Sequence, residues 1–371
     1  MPPPELLDEA RRQIVICNAC RYCEGFCAVF PAMERRRAFA DSDLTYLANL
    51  CFDCRACFYA CQYAPPHEFA VNVPKVFSEL RTATYRDYTW PGILSGLFRR
   101  AGRAVALLGA LCVALVLLLL WGLRGSGVLL SSIGGEGAFY RVVPALAIVV
   151  PALAITAYGL AVLVIGAIRF WRASRGGVRR MVDLGSFLRA AGEAFSLRYM
   201  RGGGDGCNYP DAAFSHARRR LHHLVFYGFL LDLAATTVAA VYEHLFGWVA
   251  PYPLSSWPVV LGSIGGVMLV VGTSGLLYLK WRSDREPADA SMAGMDVAFV
   301  TALLLTSLSG LVLLVVRDTA LMPMLLAVHL GLVAALFLTL PYGKFAHLFY
   351  RYAALVRNSV EERAETPGAG H

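Results

Sequence analysis

Along most of this chain the apolar residues do not alternate with polar ones; they run together. Six stretches, roughly 101–123, 143–168, 222–247, 258–280, 297–316 and 324–345, are long and apolar enough to cross a bilayer, which takes ~20 residues of helix. The first is almost entirely Ala, Leu and Val, and the second holds Pro144 and Pro151, which a membrane helix tolerates as kinks. Residues 1–95 have a different pattern. Short helices are expected over Asp8–Val15, after the capping candidates Asp41, Ser42 and Asp43, and over Val76–Arg81, with Pro65–Pro66 ending the segment between them. Nothing there has the period-two alternation of a strand. The expected fold is therefore all-α, in four parts: a head at 1–95, a two-span hairpin at 96–170, a basic loop at 171–220, and a four-span bundle with a C-terminal helix at 221–371.

Composition strengthens the membrane assignment: 57% of residues are hydrophobic and only 16% charged. The net charge of +8 does not point to nucleic acid, because the arginines lie beside the apolar spans. Eleven of them fall in 169–220, against two, none and one in the loops 124–142, 248–257 and 317–323. By the positive-inside rule that loop is cytoplasmic, and an even number of spans places both termini there as well. The N-terminus, MPPPELLDEARRQ, lacks the basic and apolar regions of a signal peptide. A bacterial inner membrane with a cytoplasmic head is the expected location.

The chemistry is concentrated in the head. Cys17, Cys20, Cys23 and Cys27, then Cys51, Cys54, Cys57 and Cys61, repeat one spacing, C-x2-C-x2-C-x3-C, so eight of ten cysteines fall within 45 residues. Three thiolates at this spacing wrap one iron–sulfur cluster, and the fourth reaches the neighbouring cluster. The expected ligand sets are Cys17, Cys20, Cys23 and Cys61 for one [4Fe–4S] cluster, and Cys51, Cys54, Cys57 and Cys27 for the other. Zinc rarely uses such an eight-cysteine repeat, and disulfides do not explain the spacing. The proline that usually follows the fourth cysteine is replaced by Ala28 and Gln62. The head is thus expected to be a helical ferredoxin-like domain. His67 reads as a surface residue after the Pro-Pro turn. Cys112 reads as a small buried apolar residue, and Cys207 as a cysteine with no partner nearby.

Histidines mark the spans. His222, His223 and His244 fall on the third, His329 and His347 on or just beyond the sixth. Treated as one helix, His329 and His347 are five whole turns apart, on one face and ~27 Å from each other. His222 and His244 are six turns plus about 40° apart, ~33 Å along their helix. The two helices run antiparallel, so His222 or His223 lies level with His347, and His244 level with His329. Two levels of paired imidazoles would let a four-helix bundle hold b-type haem, two groups or at least one. Interfacial histidines bonded to headgroups or backbone are the plainer alternative. Arg218, Arg219 and Arg220, just below His222, would meet haem propionates or anionic lipid, with lipid expected for at least two. In GGGDGCNYP (202–210) the glycines would either admit a partner or cofactor or form a flexible turn. No general acid, base or nucleophile constellation is present, so any substrate chemistry belongs to a partner.

The sixth span, with its Pro341-Tyr342-Gly343-Lys344 turn ahead of the second histidine, resembles the last haem-binding helix of the respiratory nitrate reductase gamma subunit. A broader resemblance rests on CNACRYCEGFCAVFPAM, CFDCRACFYACQYAPPHEFAVNVP, GGGDGCNYPDAAFSHARRRLHHLVFYGFLLDLAATTVA and FGWVAPYPLSSWPVVLGSIGG. Together they are similar to the tricarballylate utilisation protein B family (TcuB, also CitB) and to the C-terminal half of the fused cobalamin-synthesis protein CobZ. That resemblance implies a membrane iron–sulfur and haem protein. It would take electrons from the reduced FAD of a separate flavoprotein dehydrogenase and pass them to membrane quinone. Two other assignments stay open: a subunit of a heterodisulfide-reductase or sulfite-reduction membrane complex, and a redox-sensing membrane protein.

Overall fold

The computed structural model describes residues 2–175 and 183–365. Arg179, Arg180 and His371 lie outside them. The head is built from α1 (Pro4–Cys20), α2 (Val29–Glu34), α3 (Asp41–Leu50), α4 (Ala56–Tyr59) and α5 (Val73–Tyr88). Pro4 opens α1, where its missing N–H would have no helical partner in any case. The Asp41–Ser42–Asp43 signal starts α3 as expected, the Asp43 carboxylate accepting from the Ala40 N–H at 3.3 Å. Asn72 caps α5 by accepting from the Lys75 N–H. Ile14, Leu44, Leu47, Phe77 and Leu80 form a fully buried core between α1, α3 and α5.

After the head come α6 (Ala101–Arg124), the short α7 (Ala138–Val142), α8 (Ala145–Ser174) and α9 (Leu184–Phe195). A two-residue hairpin, β1 (Cys207–Asn208) with β2 (Phe214–Ser215), is the strand content of the described residues. Then follow α10 (Ala217–Phe246), α11 (Trp257–Arg282), α12 (Ala290–Val316), α13 (Met322–Thr339) and α14 (His347–Glu365). Six helices, α6, α8 and α10 to α13, are long and apolar enough to cross a membrane, which makes this a multi-pass membrane protein. Leu107, Leu111, Leu115 and Leu118 of α6 are more than half exposed, as lipid-facing side chains would be. Pro151 lies inside α8 without ending it.

The sixth span departs from expectation. It is not one helix to residue 345. α13 stops at Thr339, two short 3-10 turns follow, and Gly343 between them is extended. Pro341 explains the break: it has no N–H to donate and its ring crowds the preceding turn. His329 and His347 therefore sit on different helices, and the five-turn argument for a shared face fails.

The spans stack in chain order, α10 along α11, α11 on α12, α12 on α13, with α13 also against α6. Glycine allows the closest of these approaches. A Cβ on Gly265 of α11 would come within 2.8 Å of the Gly228 carbonyl on α10, so only a small residue lets the two backbones meet. Then α14 turns back and joins the head. Arg36 bonds Asp43 (2.8 Å) and Glu361 (2.7 Å), and Arg357 bonds the same two carboxylates (2.9 and 2.8 Å). Both guanidiniums lie over the ring of Tyr46. Tyr350 of α14 stacks on Tyr85 of α5, with Phe170 of α8 edge-on to it. Head and membrane helices thus share one buried wall.

Candidate functional site

The eight clustered cysteines come together in two groups. Burial pushes the Cys17 thiol up to about 12, and the nearby sulfurs of Cys61, Cys23 and Cys20 push the same way. Cys23 is raised to about 12 by burial, then by Cys61 and Cys20. In the second group Cys27 is raised to about 12, first by burial and then by Cys51. Burial raises Cys57 well above the ordinary thiol value, with Cys54, Cys27 and Cys51 adding to it. In space, then, Cys61 stands with the first run and Cys27 with the second. Thiols crowded in this way stay protonated until a cation shares the site. Among the described residues no such group closes on a point suited to a lone ion. The sulfurs of the first group instead border a cavity of about 240 Å³, walled by Cys17, Cys20, Cys23 and Cys61 with Cys57 and Tyr22.

The two runs are shaped alike. Arg21 and Arg55 each follow the second cysteine of their run, and both are left-handed, with φ of 55° and 64°. That conformation is uncommon outside glycine, and here it recurs at one position of the repeat. It turns the chain so that the next cysteine faces the same centre as the two before it. Backbone N–H groups point at sulfur as well, from Asp53 to Cys51 and from Tyr63 to Cys61, each at 3.4 Å. Such donors hold a thiolate ligand in place and tune what it binds. His67 is turned elsewhere, accepting from the Phe69 N–H and packing between Tyr63 and Phe69.

Around the second group lies a wall that sequence separation had hidden. Arg81 donates to the carbonyl of Cys51 at 3.2 Å, and Arg351 to the same carbonyl at 2.8 Å. Arg351 also lies over the Phe52 ring. Arg218 donates to the Asp53 carbonyl, and Arg219 to the Ser196 carbonyl. These bonds correct the lipid assignment for Arg218, whose side chain is spent inside the protein; Arg219 bonds Ser196 at the surface. The 202–210 segment is no free turn either. The Asn208 N–H donates to the Cys54 carbonyl at 3.0 Å, and Gly203 packs against Gly25 and Phe26 of the first run. Tyr209 lies between the guanidiniums of Arg55 and Arg218. Cys207 does have a cysteine nearby: fully buried, it donates to the Met200 carbonyl and helps raise the Cys54 thiol. One sequence signal was available, since Arg218 precedes His222 by four residues and Arg351 follows His347 by four.

The histidines separate by level. The rings of His222 and His347 stand 6.2 Å apart, centre to centre, at 81°. Two imidazoles sharing one first-row metal, each nitrogen ~2 Å from it, have centres about 6 Å apart, so this pair fits bis-imidazole ligation. Nδ1 of His347 is bound to the Lys344 carbonyl, which leaves Nε2 for a metal. Nδ1 of His222 is buried without a partner. His223, next on the helix, packs on Tyr227 instead. Lys344 and Lys280 both reach Asp296, at 2.8 and 2.6 Å, an ion triad that anchors the Pro341–Lys344 turn. At the other level, His329 bonds Ser309 at 2.9 Å beside Gly310. His244 stands exposed in the last turn of α10, and among the described residues no ring contact joins these two.

Two family models match the chain. Residues 10–87 match the family model described as the citrate utilization protein B Fer4-like domain, and residues 97–368 that described as citrate utilization protein B. The chain is 49% identical over 356 residues to the citrate utilization protein B of Escherichia coli, covering 96% of this chain and 92% of that one. No solved structure matches it.

Proposed function

Because this chain belongs to the citrate utilization protein B family, we propose that it is a membrane electron-transfer subunit: it reoxidises the reduced FAD of a partner dehydrogenase acting on a tricarboxylate such as tricarballylate, and delivers the electrons to membrane quinone. One observation carries this reading: of two groups of four cysteines, the second is bonded through Arg218 and Arg351 to the helices that carry a histidine pair. When bound, two [4Fe–4S] clusters and b-type haem supply one-electron carriers. The chain does the rest. Cys17, Cys20, Cys23 and Cys61 fix one cluster, Cys27, Cys51, Cys54 and Cys57 the other, and His222 with His347 fixes a haem on the side of the head. His329, its Nδ1 taken by Ser309, keeps Nε2 for an outer haem that His244 would complete by turning inward. The half-buried first group, beside exposed Tyr22, suits the approach of the flavoprotein. By the positive-inside rule the arginine-rich loop supports a cytoplasmic head on a bacterial inner membrane.

The test uses the purified full-length protein. It should hold about eight irons in clusters and show a haem spectrum that the reduced partner flavoprotein bleaches toward the ferrous form before quinone is added. His347→Ala should remove the haem nearer the head, while His329→Ala and His244→Ala should remove only an outer one. Iron without haem, or haem that the reduced flavoprotein cannot reach, would end the proposal.

A further inference from the structure

We propose that Arg218 and Arg351 are positioning residues that fasten the Cys51–Asp53 turn to the two helices carrying His222 and His347, making the Cys27/Cys51/Cys54/Cys57 centre the one that passes electrons to the histidine pair. This rests on the functional reading above. Arg218 stands four residues before His222 on α10, and Arg351 four after His347 on α14, each about 6 Å along its helix and on the same face as its histidine. Both reach one short turn: Arg351 donates to the Cys51 carbonyl, Arg218 to the Asp53 carbonyl and, at 3.8 Å, toward the Asp53 carboxylate. Two helices that each supply one imidazole therefore each supply one arginine to the same cysteine turn. Among the described residues, no arginine of α10 or α14 bonds the first run. Arg21 bends back to the Asn18 carbonyl and is exposed.

Charge gives the arrangement a direction. Arg81, Arg218 and Arg351 bond the second turn, and its own carboxylate, Asp53, lies within reach of Arg218. A four-thiolate iron–sulfur centre is more negative when reduced, so nearby positive charge favours that form and raises its potential. The second centre is then the higher of the two, and electrons run from the first centre to it. In the step that follows, one electron leaves the second centre and one arrives between the imidazoles; no proton or bond moves.

Redox titration of the full-length protein in membranes, followed by paramagnetic resonance, tests this. The signal lost in Cys27→Ser should be the one of higher midpoint. Arg351→Gln should lower that midpoint, leave the other unmoved, and slow haem reduction by the reduced flavoprotein at least tenfold at unchanged iron and haem content. Arg351→Lys, which keeps the charge, should restore the midpoint. If Arg351→Gln fails to assemble, Arg218→Gln puts the same question from α10. Midpoints unmoved by the Gln variants, or movement of the other signal alone, would overturn the proposal. A wild type without haem would instead end the functional reading on which it stands.

Discussion

The two cysteine runs share a spacing and a left-handed arginine, yet they live in different surroundings. The first lies at the rim of the head, where Tyr22 is 71% exposed and Cys17, Cys20, Cys23 and Cys61 are all half-buried. The second is walled in: Cys51 and Cys54 are buried beneath residues from α5, α10, α14 and the 202–210 segment. Identical local instructions have been given two environments by the rest of the chain. A repeat builds a centre, and its neighbours decide whether that centre meets a partner or another part of the protein.

That contrast can be broken most forcefully at the cysteines. Cys54→Ser should remove about four irons and, by emptying the centre whose Cys51–Asp53 turn is bonded by Arg218 and Arg351, disturb the haem spectrum. Cys20→Ser should remove as many irons from the rim and leave the haem spectrum intact. Iron analysis with a haemochrome count separates the two, and identical spectra would erase the distinction drawn here.

Acidity tests what the two groups have in common. Cys17, Cys23 and Cys27 are held up to about 12 against an ordinary 9.0, chiefly by burial. A group raised in the folded state contributes stability that is complete below its unfolded value and is lost as pH climbs toward the folded one. Metal-free protein should therefore lose thermal stability between about pH 9 and about pH 12, whereas loaded protein, whose sulfurs hold iron and no proton, should not show this loss. Parallel melting curves of the two forms provide the check.

The smaller effects lie at two glycines. Gly206 has φ of 113°, and a Cβ there would stand 2.5 Å from the Ser215 carbonyl. Gly206→Ala should cost about 1–3 kcal/mol from backbone strain alone and loosen the cover over the second run. Gly25, in the first run, has open space where a Cβ would go, so Gly25→Ala should stay within about 0.5 kcal/mol. Equal destabilisation, read from urea or thermal unfolding, would mean that the cover is not built on that turn.

What the sequence disclosed follows from how local each signal is. The six spans were legible because twenty apolar residues in a row have few other homes, and the cysteine spacing because thiolate ligands sit close in sequence. The break after Thr339 was harder to see, since Pro341 and Gly343 stand within a run otherwise apolar enough to continue. The wall around the second run was invisible. Arg218 meets Asp53 across 165 residues and Arg351 meets Cys51 across 300, and no periodicity encodes such partners. The glycines of the 202–210 segment left a close approach and a flexible turn both open, because glycine serves tight packing and slack loops alike.

The bonds between Arg36 and Glu361, 325 residues apart, set an order in time. The chain is made from its N-terminus, so both cysteine runs leave the ribosome long before Arg218, the 202–210 cover or α14 exist. Arg81 is made soon after the second run and bonds the Cys51 carbonyl early. The bonds from Arg218 and Arg351 to the Cys51–Asp53 turn form only once α10 and then α14 have followed.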